Sequence, residues 1–235
     1  MKINIWSDVR CPFCYIGKRK FDAALSQFEH KDKVEVVWKS YELDPELKTD
    51  ETITTVEYLA SSKQMPIDQV KQMIAHAKTM GQEVGLEMNI ENSITANSKN
   101  AHRLMHFASS QSKEIGDELM EALFKAHFTD AKNIDDNDVL LELGLKVGLD
   151  KDGIKELLNS EDFSYEVRQD QMEARNIRVK GVPFFVMHKK FAVSGAQPTE
   201  TFLDVLKKAW HYYKEDQKPI HIISGNSCDV NGNCE

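Results

Sequence analysis

Strand-forming sequence is confined to the two ends of this 235-residue chain, and about 120 residues of helical pattern lie between them. Ile3-Asn4-Ile5-Trp6-Ser7 alternates as a half-buried strand does, and Val34–Lys39 is rich in β-branched and aromatic residues. Strand character returns in Pro183–Met187 and Phe191–Ser194, which flank the polar turn His188-Lys189-Lys190, a hairpin signal. After the first strand, Cys14, Gly17, Phe21, Leu25 and Phe28 share one helical stripe, with Lys18, Arg19, Lys20 and Asp22 mostly off it. Residues 51–175 read as consecutive helices punctuated by glycines. Thr199 is expected to cap a last helix with Phe202, Val205, Leu206 and Trp210 on its buried side. The chain from about 215 to 235 reads as a polar tail. This order fits an α/β fold in which a βαβ unit and a ββα unit, residues 1–50 and 176–214, share one mixed sheet. The helical block 51–175 is then an insertion between them.

Composition excludes several classes of function. A net charge of -8 opposes any sequence-independent grip on nucleic acid or anionic lipid. The acidity belongs to the middle, where residues 52–170 hold 12 Lys/Arg against 21 Asp/Glu. No apolar run approaches the ~18–20 residues of a membrane span. The opening Met1–Trp6 turns polar too soon for a secretory leader, so the expected location is the cytoplasm. Four cysteines, Cys11, Cys14, Cys228 and Cys234, are too few for a disulfide scaffold. Close pairs in a reducing compartment point instead to redox or metal chemistry.

Cys11-Pro12-Phe13-Cys14 sits where the first strand turns into a helix, with Pro12 at the first helical position that proline prefers. A disulfide exchanger needs an exposed, ionisable thiol and a second thiol within closing distance. Unpaired N–H groups and the dipole at a helix N-terminus stabilise a thiolate there, and Cys-x-x-Cys thiols in that setting ionise at ~3.5–7. Cys11 is therefore the expected nucleophile, with Arg10 adding positive charge. Cys14, one turn inward at the head of the apolar stripe, is the expected resolving thiol. The competing readings are two unrelated core cysteines or a zinc half-site completed by Cys228 and Cys234, but zinc knuckles hold their pair in a tight turn, and the second spacing is wide. No metal and no bound cofactor is expected.

The sequence also resembles a known family. Ser7-Asp8-Val9-Arg10-Cys11-Pro12-Phe13-Cys14-Tyr15-Ile16-Gly17 is similar to the active-site opening of DsbA-like oxidoreductases of the thioredoxin superfamily, in the FrnE-like branch. Asn97–Leu104, Val179–Val186 and Ser194-Gly195-Ala196-Gln197 are similar to three further motifs of that branch, in the same order. The resemblance covers residues 1–212. It implies a thioredoxin-like fold with a large all-helical insertion domain, and dithiol–disulfide exchange with protein substrates or small thiols, glutathione among them as a co-substrate. It also implies a cis bond before Pro183, leaving the Val182 backbone unpaired and facing Cys11 to bind an extended peptide as an added strand.

Two rivals stay open. One is a glutathione-dependent transferase or isomerase like the kappa class, which uses a serine-type site in place of the cysteine pair. The other is a redox-gated chaperone or binding module working through the acidic helices. His102 and His106 share a helical face without an evident third metal ligand, and His102 is carried as a site-lining candidate. Asp8 either modulates the Cys11 thiolate, or caps the turn or faces water. Cys228 and Cys234 enclose the turn-forming Asn231-Gly232 and read as a second redox pair, a closed loop without catalytic role, or a regulatory or metal-binding pair. Oligomeric state is not legible.

Overall fold

The computed structural model describes residues 1–217. At its centre is a four-stranded mixed sheet of order β2-β1-β3-β4, where β1 is Lys2–Ser7, β2 Glu35–Ser40, β3 Phe184–Met187 and β4 Phe191–Ser194. β1 runs parallel to β2, with Ile5 beside Trp38, and antiparallel to β3, with Ile5 opposite Phe185. The parallel pair requires a crossover, supplied by helix α1 (Pro12–Ser26). β3 and β4 form the hairpin, whose turn holds His188 and Lys189 at φ 52° and 56°, a left-handed pair matched to the strand twist.

The alternation of β1 and β3 separates the two faces. Ile3, Ile5, Phe185 and Met187 point to one side and are fully buried. There the rings of Phe21 from α1 and Phe202 from α9 (Thr199–Asp216) meet Phe185, at 5.4 and 4.6 Å between centroids. The opposite face holds Trp6, Phe184 and Val186 against Ala174 and Val179. The last helix departs from expectation at both ends. Pro198 precedes it without a side-chain capping bond, its ring fixing φ in place of the bond expected from Thr199. The helix also runs to Asp216, past the point where a polar tail was expected.

Between the two sheet halves lie α2 (Thr55–Lys63), α3 (Ile67–Gln82), α4 (Lys99–Gln111), α5 (Lys113–Phe128), α6 (Asn137–Lys146), α7 (Lys151–Leu158) and α8 (Ser164–Asn176). Their starts are written locally: Thr54 and Glu57 form a capping box on α2, and Asp136 and Asp150 cap α6 and α7. A continuous apolar core joins these helices to the sheet layer. At the α1–α5 seam Tyr15 stacks on Phe124 at 5.0 Å and donates to Glu121, which Arg19 also binds.

Lys18, expected off the buried stripe, is only 4% exposed in that seam. Its ammonium is matched by Asp22 at 2.8 Å and Asp117 at 3.3 Å, so a charge occupies an interior position because α5 brings a carboxylate to it. Among the described residues, no helix is long and apolar enough to cross a membrane.

Candidate active site

The turn between β1 and α1 is folded around a buried carboxylate. Asp8 accepts the Arg10 N–H at 3.0 Å on one oxygen and the Leu43 N–H at 2.8 Å on the other, while its carbonyl accepts the Cys11 N–H at 3.0 Å. Burial opposes its charge. The His102 ring 3.5 Å away, the Leu43 N–H and the Arg10 guanidinium outweigh burial and hold the Asp8 pKa below the ordinary carboxylate range. Asp8 thus caps the turn, one of its expected roles, and the alternative that it faces water is corrected: with both oxygens taken by backbone donors it is fully buried.

Cys11 is the residue before α1, in extended conformation, and Pro12 opens the helix. No side-chain oxygen caps the first turn, which leaves its N–H groups for the thiol end of the helix. The Cys11 Sγ lies 3.5 Å from the Val182 carbonyl oxygen, toward which its S–H donates. The Val182 backbone therefore faces Cys11 as expected, but its carbonyl is occupied by the thiol where an unpaired group was expected. The Val182–Pro183 peptide is cis. Pro183 is gripped from two sides: the Gly195 N–H donates to its carbonyl at 2.8 Å, and α1 passes so close that a Cβ on Gly17 would lie 2.8 Å from Pro183 Cγ. Only glycine permits that approach.

The two thiols are free and differ in setting. Cys14 is 1% exposed, and burial, followed by the neighbouring Cys11 thiol, pushes its pKa well above the usual thiol value against the opposing influence of the nearby Ser7 side chain and Asp8 backbone. Cys11 is itself only 5% exposed, less open than an attacking thiol was expected to be. Its opening is a cavity of about 450 Å³, walled by Cys11, Phe13, α2 around Tyr58, α3 around Ile74, and His127-Phe128 at the end of α5. Met73 is the one methionine on that wall.

His102 does not line this cavity, which corrects its assignment as a site-lining residue; it is fully buried against Asp8. His106, one turn on, diverges to Asp170 at 3.0 Å, so the two histidines do not share a metal. No cluster of three or more metal-ligating side chains occurs among the described residues. The segment around His102 has a structural use. Asn97 Nδ2 donates to the Leu47 carbonyl at 2.8 Å, and buried Arg103 donates to the Leu157 carbonyl at the end of α7 and to the Ser160 and Asp162 carbonyls just after it.

Sequence reasoning missed His127, 4% exposed and with its pKa lowered to about 4 by burial and then by Arg10. The signal was present, because His127 continues the buried Met120, Leu123, Phe124 stripe of α5. Cys228 and Cys234 lie outside the described residues.

The DSBA-like thioredoxin domain family matches residues 2–207. The chain is 31% identical over 191 residues to the uncharacterized protein YwbO of Bacillus subtilis (strain 168), covering 79% of this chain and 86% of that one. The crystal structure of the probable DsbA oxidoreductase SCO1869 from Streptomyces coelicolor is similar with a TM-score of 0.84 at 32% identity, over 100% of this chain and 98% of that one. The cytosolic disulfide reductase DsbM from Pseudomonas aeruginosa, also solved with GSH, shares the fold at a TM-score of 0.61 and 16% identity, over 92% of this chain and 98% of DsbM.

Proposed function

The chain belongs to the DSBA-like thioredoxin domain family, and we propose that it is a thiol–disulfide oxidoreductase in which Cys11 attacks and Cys14 resolves. The observation that carries this reading is the asymmetry of the pair: one thiol at a helix N-terminus on the wall of a cavity, the other sealed one turn below it. The Cys11 thiolate would attack a substrate disulfide and release one thiol. Cys14, losing its proton, would then attack the mixed disulfide, release the second thiol and leave Cys11–Cys14 oxidised. An external thiol reductant, glutathione among the small ones, would return the pair to the dithiol. The Val182 backbone, released from the Cys11 S–H, would receive extended protein substrates, and the helices of 51–175 would form the substrate wall. Sparse cysteine usage supports a reducing, cytoplasmic setting. The pair at Cys228 and Cys234 is assigned to electron exchange with Cys11 and Cys14.

Trapping tests the core of this. Cys14→Ser is expected to accumulate a mixed disulfide with native, disulfide-bonded insulin or a peptide disulfide, visible by intact-protein mass spectrometry. Cys11→Ser is expected to accumulate none. Absence of the adduct in Cys14→Ser, or full activity in Cys11→Ser, sinks the reading in favour of a binding module. Unchanged turnover and redox equilibrium in Cys228→Ser/Cys234→Ser would remove the second pair from the mechanism.

A further inference from the structure

The cavity beside Cys11 contains buried polar groups that exchange chemistry alone does not use. Arg10 Nη1 is buried with no hydrogen-bond partner, and its guanidinium lies over the Tyr58 ring at 5.3 Å. His127, on the same wall, has a buried Nδ1 that is likewise unpartnered. Leaving such groups unpaired costs ~1–3 kcal/mol each, and more for a charged one, so a partner that supplies acceptors has a clear energetic opening. Most of the remaining wall is apolar, including Phe13, Leu59, Ile74 and Phe128. The cavity's one carboxylate, Asp44, already accepts the Tyr58 O–H at 2.8 Å, while Lys63 adds a second positive charge. A volume of about 450 Å³ falls within the range of small-molecule sites, roughly 300–1,000 Å³.

We infer that this cavity selects small disulfides with an apolar, aromatic body and a carboxylate, the carboxylate pairing with Arg10 and the disulfide sulfur lying against Cys11. The inference rests on the exchange reading above and names its small-molecule substrate class. Arg10 immediately precedes Cys11, so an anion held on its guanidinium sits at the thiol end of the cavity and the apolar body fills the space toward α3 and Phe128. The balance is that of any dithiol reduction. The S–S bond of the ligand breaks, the Cys11–Cys14 bond forms, and two electrons and two protons leave the protein on two ligand thiols. A dithiol reductant such as dithiothreitol restores the enzyme between turnovers.

The test compares two aromatic disulfides on the full-length chain carrying Cys228→Ser/Cys234→Ser, so that Cys11 and Cys14 alone report. Dithiobis(nitrobenzoate) bears carboxylates, and dithiodipyridine is neutral. Stopped-flow rates of the reduced protein are expected to show a tenfold or larger loss for the carboxylate probe in Arg10→Met. The neutral probe should slow less, by the loss of positive charge beside Cys11 alone, so that the carboxylate-to-neutral rate ratio falls at least fivefold, and Arg10→Lys should recover part of that ratio. Ser62→Trp, an exposed position on the cavity rim, is expected to slow both probes at least fivefold. Equal slowing of both probes by Arg10→Met overturns the inference, because the residue then acts on the thiol and not on recognition. Unchanged rates in Ser62→Trp overturn it too. If the parent protein reacts with neither probe nor with insulin, the exchange reading itself falls. If insulin and dithiodipyridine react and the carboxylate probe ignores Arg10, only the substrate class falls.

Discussion

Helix α4 carries two histidines one turn apart, and the carboxylates they meet are held in opposite ways. Asp170 is saturated: its carboxylate receives Lys39 Nζ at 2.7 Å, the Ser40 N–H at 2.8 Å and His106 Nε2 at 3.0 Å. Its carbonyl also accepts the Trp6 indole N–H at 2.9 Å. Asp8 has two backbone donors and a histidine at 3.5 Å, and neither ring nitrogen of His102 makes a hydrogen bond. Both carboxylates are buried, and in both the donors outweigh burial and depress the pKa. The contrast separates a joint from a setting. Asp170 ties β2, α4 and α8 together, whereas Asp8 shapes the turn before Cys11 and keeps its histidine at a distance.

The largest expected effect falls on the joint. Asp170→Ala leaves the Ser40 N–H without its acceptor and Lys39 with only the half-exposed Glu173 at 3.0 Å, and removing one partner of a buried ion pair costs up to ~3–5 kcal/mol. Urea denaturation should show that loss, while folded Asp170→Ala retains its reaction with dithiodipyridine. If Asp8→Asn costs as much, the distinction between joint and setting is broken.

A third histidine sharpens the contrast through pH. His127 stays neutral in the folded state down to about 4, because burial, and then the Arg10 charge, oppose its protonation. The unfolded chain takes that proton near 6.5. Unfolding is therefore favoured progressively as pH falls from about 6.5 to about 4, by roughly 3 kcal/mol in total, with no further loss from this group below. His127→Gln should flatten that part of the stability profile. The depressed carboxylates act in a lower window: their stabilisation is complete above about 4 and is lost as pH falls through their folded values. That acid limb should survive in His127→Gln and shrink in Asp170→Ala. A slope between 6.5 and 4 that persists without His127 would refute its assignment.

These effects also mark what the sequence made legible. The strand–helix–strand opening, the late hairpin and the Cys11–Cys14 junction follow from period and turn chemistry, which act over a few residues. The buried face of α9 was readable for the same reason, with Phe202, Leu206 and Trp210 falling on it. What escaped depends on partners far along the chain. Lys18 reads as surface until Asp117, 99 residues later, comes to meet it. Asp8 reads as a turn residue with an open choice of role until Leu43 and His102 close over it. The cavity has walls from α2, α3 and α5, whose placement no local pattern encodes. His102 was selected for its motif, and the motif turns out to fasten the 45–49 loop and the end of α7 through Asn97 and Arg103.

The smallest effect bears on the setting itself. Asp8→Asn keeps an oxygen for one of the two backbone donors but turns the other acceptor into an amide, so one hydrogen bond is lost, at a cost of ~1 kcal/mol. Its chemical consequence has the opposite sign from its structural one. A negative charge three residues before Cys11, inside the protein, disfavours a second negative charge on sulfur, and removing it favours the thiolate. The reaction of Asp8→Asn with dithiodipyridine at neutral pH should therefore quicken, by roughly threefold, although the protein is less stable. The neutral probe is chosen so that Arg10 recognition does not enter the rate. A slower reaction would mean that Asp8 serves Cys11 only by shaping its turn, and a stability loss matching that of Asp170→Ala would make both carboxylates joints.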